Sequence, residues 1–424
     1  MHVGIFTLGS RGDVQPYIAL ALGLKKRGHE VTLAASENFK EFVESYGIKF
    51  HSIFGDTEEV INAPEGLRLL KSGNDLALLK FLAAGHDKVR HTIAKDLMLG
   101  CQQVDYIITS YIPSFTIATI AEKLNKPWVI VNVSPPFIKT YERPAMNFTL
   151  LDFPLYNRLT YRIADWVQWH LNKKAIKELR AQLDLPPLNK PLTQLIKEQK
   201  ILTLHAISTQ LYPRPNDWAP QYQLTSFMTI PSEVRETHPY EQMAPALVAW
   251  LKKGEKPLYI GFGSIPFPDP ELFIWTLQEI LKSGTRVIFV KGWFKINKLP
   301  EHHNLFVLQS ANHERLMPLC KAAVIHGGIG TLTAVLRAKI VPIIVSIFAD
   351  QPYWGKIIAK NGIGIHMRWK KISASKILSA LSGEKYISLL NKASDVGSKI
   401  HIEDGVTMTI NSLVEHDQRF HGVP

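Results

Sequence analysis

His326-Gly327-Gly328-Ile329-Gly330-Thr331, an apolar run, and then Ala349-Asp350-Gln351-Pro352-Tyr353-Trp354 form the stretch whose reading decides the fold. Small glycines let backbone N–H groups approach a diphosphate, and a helix that follows them aims its positive end at the anion. His326 can donate a further hydrogen bond to the same phosphate. Ser264 and Thr331 add hydroxyl donors. Asp350 and Gln351 lie past a second apolar strand, Pro342 to Ile347, where an adjacent carboxylate and amide suit neighbouring hydroxyls of a sugar. Together these residues describe a pocket for a nucleotide-linked sugar on one half of a doubly wound sheet.

The pattern extends outward from that stretch. Upstream, Pro257 to Ser264 reads as a strand and glycine loop, Leu272 to Ser283 as a helix, and Arg286–Val290, Leu305–Leu308 and Ala322–Ile325 as strands. Downstream, Gln351–Asn361, Ala374–Leu381 and Gly405–Phe420 read as helices. An independent series opens the chain: strand Val3–Leu8, loop Gly9 to Asp13, helix Pro16–Arg27, and strands Val31–Ala35 and Lys49–Ile53. Two more strands, Tyr106–Thr109 and Trp128–Val133, follow. Such alternation predicts an α/β protein with two Rossmann-like doubly wound domains facing a deep cleft. A long amphipathic helix is expected over Tyr156 to Leu183. The expected organisation is a first domain over 1–212, a proline-rich linker over 213–242, a second domain over 243–404, and a helix over 405–424.

A length of 424 residues exceeds one typical core, and 46% apolar with 20% charged residues is a globular balance. The net charge of +12 could attract nucleic acid, an anionic membrane or an anionic cosubstrate. The chain lacks RNP-type and zinc-ligand spacings, so nucleic acid ranks last. Cys101 and Cys320 are open to two readings, buried free thiols or a disulfide. The N-terminus has no signal-peptide layout and no apolar run is long enough to cross a bilayer. A cytoplasmic protein, touching membranes at most from the side, is expected.

The loop Gly9-Ser10-Arg11-Gly12-Asp13 lacks the spacing of a dinucleotide fingerprint, and no P-loop is present. What the chain does contain is a set of motifs in fixed order. They are Gly9 to Pro16, Phe42 to Ile48, Gly55-Asp56, Tyr259 to Ile265, Lys291-Gly292-Trp293, His326 to Thr331, Leu336 to Ala338 and Ala349 to Gly355. In these the chain resembles the GT-B nucleotide-sugar-dependent glycosyltransferases (family 1, UDP-glycosyltransferases), and within them sterol 3-beta-glucosyltransferases and their bacterial relatives.

The resemblance implies transfer of a hexose, glucose above all, from a UDP-sugar to a lipophilic acceptor, with inversion and without a metal. The UDP-sugar would be a cosubstrate, with no further cofactor. The resemblance also implies that the helix over 405–424 braces the first domain. Asp13 is then the expected base, against the reading that it caps a helix starting near Pro16. Donor contacts are expected from Gly9, Ser10, Arg11, Gly12, Ser264, Trp293, Ser310, Ala311, His326, Gly328, Ile329, Gly330, Thr331, Asp350 and Gln351. Trp293, or the loop with Ser310 and Ala311, would pack on the nucleobase. His313 reads as structural.

Several positions depart from the family pattern. Ile325 stands where a second histidine is usual, Ile329 where alanine is common, and Ala334 where many relatives hold the ribose with glutamate. Lys339, Val341 and Ser346 also differ. Uridine against thymidine is therefore open. Acceptor walls are expected over Ala63–Arg90 and Pro135–Trp169. The apolar run Leu67–Leu82 could line a pocket, dip into a membrane surface, or be an ordinary packed helix. Two other functions share these motifs: a UDP-sugar epimerase, which would release altered free sugar, and a non-catalytic sensor of nucleotide sugar or lipid.

Overall fold

Strand β1, His2–Phe6, is buried at Val3, Ile5 and Phe6 and pairs in parallel with β2, Glu30–Ser36, on one side. On its other side it pairs with β4, Tyr106–Thr109. The remaining strands of this sheet are β3 (Lys49–Ile53), β5 (Trp128–Asn132), β6 (Thr203–His205) and β7 (Tyr222–Leu224), in the order β3-β2-β1-β4-β5-β6-β7. The near-continuous apolar runs of β4, Tyr-Ile-Ile-Thr, and β5, Trp-Val-Ile-Val-Asn, both fully buried, are what the centre of a parallel sheet covered on both faces needs. The structure is a computed structural model describing residues 1–146, 148, 151–238, 242–296 and 298–421.

The second sheet contains β8 (Leu258–Gly261), β9 (Val287–Val290), β10 (Leu305–Leu308), β11 (Ala322–Ile325), β12 (Val341–Ser346) and β13 (Ile365–Arg368). Its order, β10-β9-β8-β11-β12-β13, repeats the central reversal of the first sheet. Every pairing in both sheets is parallel. In each sheet the order reverses beside the first strand, β1 or β8, which is where open α/β sheets bind ligands.

The chain divides into two compact units. Unit 1 is Met1–Thr57, Leu79–Ile230 and Asp404–Pro424, and unit 2 is Glu58–Leu78 and Pro231–Glu403. The region expected to be a linker differs from that expectation. Tyr222–Leu224 pairs with β6, so unit 1 continues to Ile230. Three residues between prolines are too short to show a strand period. Pro239, also placed in the linker, lies outside the described residues.

Glu58–Leu78 groups with unit 2 although it comes early in the chain. Lys370 Nζ donates to the carbonyl of Ser72 at 2.7 Å, close beside Gly73. Leu69, Leu70 and Leu78 are buried, so this part of Leu67–Leu82 follows the packed-helix reading; the side chains of Leu76 and Leu79 lie outside the described residues.

The helix Gly405–His416 packs within unit 1 against the helix Arg11–Lys26. A β-carbon on Gly23 would lie 2.4 Å from Val406, so the missing side chain permits that approach. Thr409 donates to Thr225 at 2.8 Å, and Phe420, fully buried, meets the ring of Tyr106 edge-on at 4.7 Å. Cys101 and Cys320 are both free and buried. Among the described residues no helix is long and apolar enough to cross a membrane.

Candidate active site

In unit 1 the chain leaves β1 through Thr7 to Ser10 and enters a helix at Arg11, five residues before the expected start at Pro16. The reason is local. Asp13 is the third residue of that helix, and its Oδ2 accepts from Ser10 N–H at 2.8 Å and from Ser10 Oγ at 3.1 Å. A carboxylate there satisfies an N–H at the helix entrance, while Pro16, inside the helix, forgoes the bond an N–H would make to the carbonyl of Gly12. Asp13 thus caps the helix, as one of its two readings held, and the residue is half-buried. Burial pushes its carboxyl above the usual range, against the two Ser10 bonds, which pull it down.

Gly9 completes this corner with φ of +138°. Gly12 is exposed at the helix start. Arg11 is turned aside, with its guanidinium 4.4 Å over the ring of Phe42 and Nε donating to Gln15. Deeper in the unit, Tyr17 is buried and donates to the carbonyl of Val131 at 2.6 Å. Burial, and secondly Asp13, drive its phenol pKa up, so it stays a neutral donor.

In unit 2 the loops at the carboxyl ends of β8, β9 and β10 are tied together. Trp293 N–H donates to Gly263 O at 3.2 Å, Gly292 N–H to Gln309 O at 3.0 Å, and Gln309 Nε2 back to Gly292 O at 2.8 Å. A β-carbon on Gly292 would sit 2.1 Å from Gly263 O, and its φ is +56°, so only glycine fits. Ser264 follows Gly263, half-buried, and Trp293 is half-buried. Ser310 is exposed beyond Gln309, and Ala311 precedes Asn312, which caps the helix His313–Leu316 by accepting from Arg315 N–H. His313 bonds the buried hydroxyl of Tyr259 at 2.9 Å, a structural contact.

The loops after β11 and β12 form the other side. His326 is buried directly after β11, and burial holds its pKa down to about 4, so the ring is neutral at pH 7. Its Nδ1 is buried without a hydrogen-bond partner. A β-carbon on Gly328 would lie 2.4 Å from His326 Nε2, and one on Gly263 2.9 Å from Cε1. The helix Ile329–Arg337 starts at Gly328, so the N–H groups of Ile329, Gly330 and Thr331 have no carbonyl within the helix. A neutral imidazole and these N–H groups form a donor set for an anion.

Gln351 has a structural role that its sequence position did not show. It is buried, and its Oε1 accepts from Ile347 N–H at 2.8 Å and Phe348 N–H at 3.2 Å. Its carbonyl therefore shapes the loop, leaving the amide nitrogen for any ligand. Asp350 is half-buried and accepts from Trp354 Nε1 at 3.0 Å. Ala349 beside it holds φ of +57° and is exposed, a strained conformation for a residue with a β-carbon.

The structure thus gathers Gly263, Gly292, Trp293, His326, Gly328 and Gln351 at one end of the second sheet, and Gly9, Ser10 and Asp13 at the matching end of the first. Sequence reasoning missed two histidines, His205, which is buried, and His366, which is half-buried. His205 ends β6 and bonds Asn132 Nδ2 at 3.1 Å, and burial lowers its pKa to about 3. His366 on β13 bonds Ser346 at 2.8 Å and lies against Gly355, whose β-carbon would meet it at 2.4 Å. A lone histidine in a short apolar strand gives no signal of either. Among the described residues no cluster of three or more His, Cys, Asp or Glu could hold a metal ion.

Residues 3–140 match the glycosyltransferase family 28 N-terminal domain. The chain is 30% identical over 98% of its length to the sterol 3-beta-glucosyltransferase UGT80A2 of Arabidopsis thaliana, spanning 66% of that protein. It is 31% identical over 96% of its length to a sterol 3-beta-glucosyltransferase of Yarrowia lipolytica, spanning 28% of it. The chain thus spans less than two thirds of each of these two relatives. Among solved structures, the glycosyltransferase of kitacinnamycin superposes with a TM-score of 0.66 at 14% identity, covering 98% of each chain, which is a likeness of fold. The chain thus has the fold of the GT-B glycosyltransferases. In sequence it is similar to the sterol 3-beta-glucosyltransferases.

Proposed function

We propose that this protein transfers a hexose, glucose above all, from a UDP-sugar to a hydroxyl of a sterol-like or other lipophilic acceptor, with inversion and without a metal. The observation that carries this reading is His326, buried and neutral among glycines that leave no space for a β-carbon, beside a helix N-terminus. Such a site suits a diphosphate whose charge grows as it departs. The sterol glucosyltransferase relatives support the acceptor class.

The acceptor oxygen would form the new bond to the anomeric carbon while the bond from that carbon to the diphosphate oxygen breaks. The proton of the acceptor hydroxyl passes to Asp13, whose raised pKa makes it a better base than an ordinary aspartate. His326 and the N–H groups of Ile329, Gly330 and Thr331 take the charge of the leaving group. Asp350 and the Gln351 amide would hold hexose hydroxyls.

The test is donor consumption by purified protein with a UDP- and TDP-sugar panel and mixed sterol, terpenoid and polyphenol acceptors, in EDTA, read by mass spectrometry. A hexosylated acceptor with free nucleoside diphosphate supports the reading. Altered free sugar with no glycoside would replace it with an epimerase, and tight donor binding without turnover would favour a sensor.

A further inference from the structure

The helix Pro154–Gln182 of unit 1 presents an apolar face to solvent. Leu155 is 76% exposed and Trp166 60%, with Leu159, Val167 and Leu171 also exposed and Phe153 just ahead of the helix. At about 100° per residue Leu155, Leu159 and Trp166 fall within about 40° of one another, and Val167 and Leu171 lie farther round the exposed side. Asn157, Thr160, Tyr161, Ile176 and Arg180 of the same helix are buried. Single exposed leucines are ordinary on a soluble surface, but several large apolar side chains exposed over roughly four turns, a tryptophan among them, are not.

The charges along this face are mainly positive. Arg162, exposed, borders the apolar positions, and Lys173, Lys174 and Lys177, all exposed, follow Leu171. Of the acidic residues on the helix, Glu178 is paired with Arg90, and Asp165 is half-buried, lining a small pocket with Tyr111, Phe115, Gln168 and Trp169. Asp152 precedes the helix. A second copy docking through the same face would bring like charge against like. An anionic lipid surface complements both the apolar positions and their fringe.

We infer that this face docks on an anionic bilayer, the helix lying in the plane of the interface. Leu155, Leu159 and Trp166 enter the acyl boundary, and Lys173, Lys174 and Lys177 meet headgroup phosphates. The inference deepens the proposed function, because a lipophilic acceptor would be met where it resides; only that link rests on the transferase reading.

The experiment is vesicle flotation of the full chain with no donor or acceptor present. One vesicle set is phosphatidylcholine and the other equal parts phosphatidylcholine and phosphatidylglycerol. The expected result is binding to the mixed vesicles, weakened by salt. Leu155→Asp with Trp166→Asp should lower it roughly tenfold or more, and Lys173→Glu, Lys174→Glu and Lys177→Glu about fivefold per lysine. Trp166→Glu alone is the milder variant, and circular dichroism checks folding. The inference is overturned if the parent chain does not float, if neither set of changes weakens flotation, or if Leu155→Asp with Trp166→Asp instead converts a dimer to a monomer. Flotation that follows the variants while every acceptor assay fails would leave the docking face standing and sink the transferase reading.

Discussion

A β-carbon built on Gly9 would lie 2.4 Å from Oδ2 of Asp13, so the backbone of one is the wall against which the carboxylate of the other rests. The proposed base is thereby held in one place by the loop that precedes its own helix.

Gly9→Ala should therefore displace Asp13. The φ of +138° adds backbone strain, and the combined loss is of order 1–3 kcal/mol. Gly28→Ala is the control, with φ of +82° and open space around its β-carbon position. Thermal unfolding and turnover should both suffer at Gly9, and stability alone, mildly, at Gly28. Equal effects on turnover would argue against a positioning role for Gly9.

Asp13→Asn should cut turnover by about 10²-fold or more while leaving UDP-sugar affinity nearly intact. Because burial raises the carboxyl pKa, parent activity should climb with pH through a midpoint above 3.8, and that limb should vanish in the variant. A pH profile that keeps its shape without the carboxylate would assign the proton to another group.

Gln351→Ala removes the acceptor of two buried N–H groups, those of Ile347 and Phe348. A loss of about 2 kcal/mol in denaturant unfolding is expected, alongside weaker donor binding. Unchanged stability would mean that the loop finds other partners.

His326→Ala should raise the dissociation constant for UDP roughly tenfold, as loss of one hydrogen bond to a charged ligand. Its neutrality predicts that this contribution is flat from pH 6 to pH 8. UDP affinity that rises steeply as pH falls through 7, in parent but not variant, would show a charged ring instead.

Buried histidines also set the acid limit. His326 and His205 are held neutral, with pKa values down to about 4 and about 3, against 6.5 for the free side chain. The unfolded chain takes up these protons first, so their contribution is complete above pH 6.5 and is lost as pH falls toward 4. For His326 the loss is on the order of 3 kcal/mol. Asp13, with its raised pKa, works in the opposite sense above pH 3.8 and offsets part of it. The unfolding midpoint, followed from pH 7 to pH 4.5, should fall less steeply in His205→Phe than in the parent.

The glycine loops were legible because a close backbone approach admits one residue type, and the alternating apolar runs exposed most strands of both sheets. Strands β7 and β13 were not legible. The first is three residues long among prolines, and the second, Ile-His-Met-Arg, carries no apolar run. Nor could spacing show that Gln351 turns its carbonyl onto Ile347 and Phe348, or that Gly292 meets Gly263 across 29 residues. These depend on how loops from separate strands meet. The long amphipathic helix was expected, but which of its faces stays uncovered is decided by its neighbours.

The helix Gly405–His416 and buried Phe420 belong to unit 1, whose first strand is made some four hundred residues earlier. During synthesis the first sheet emerges early, yet Gly23 and Tyr106 wait for Val406 and Phe420 to leave the ribosome before they are covered. The unit begun first is finished last. A nascent chain released short of Phe420 would hold a complete second unit beside an unfinished first one.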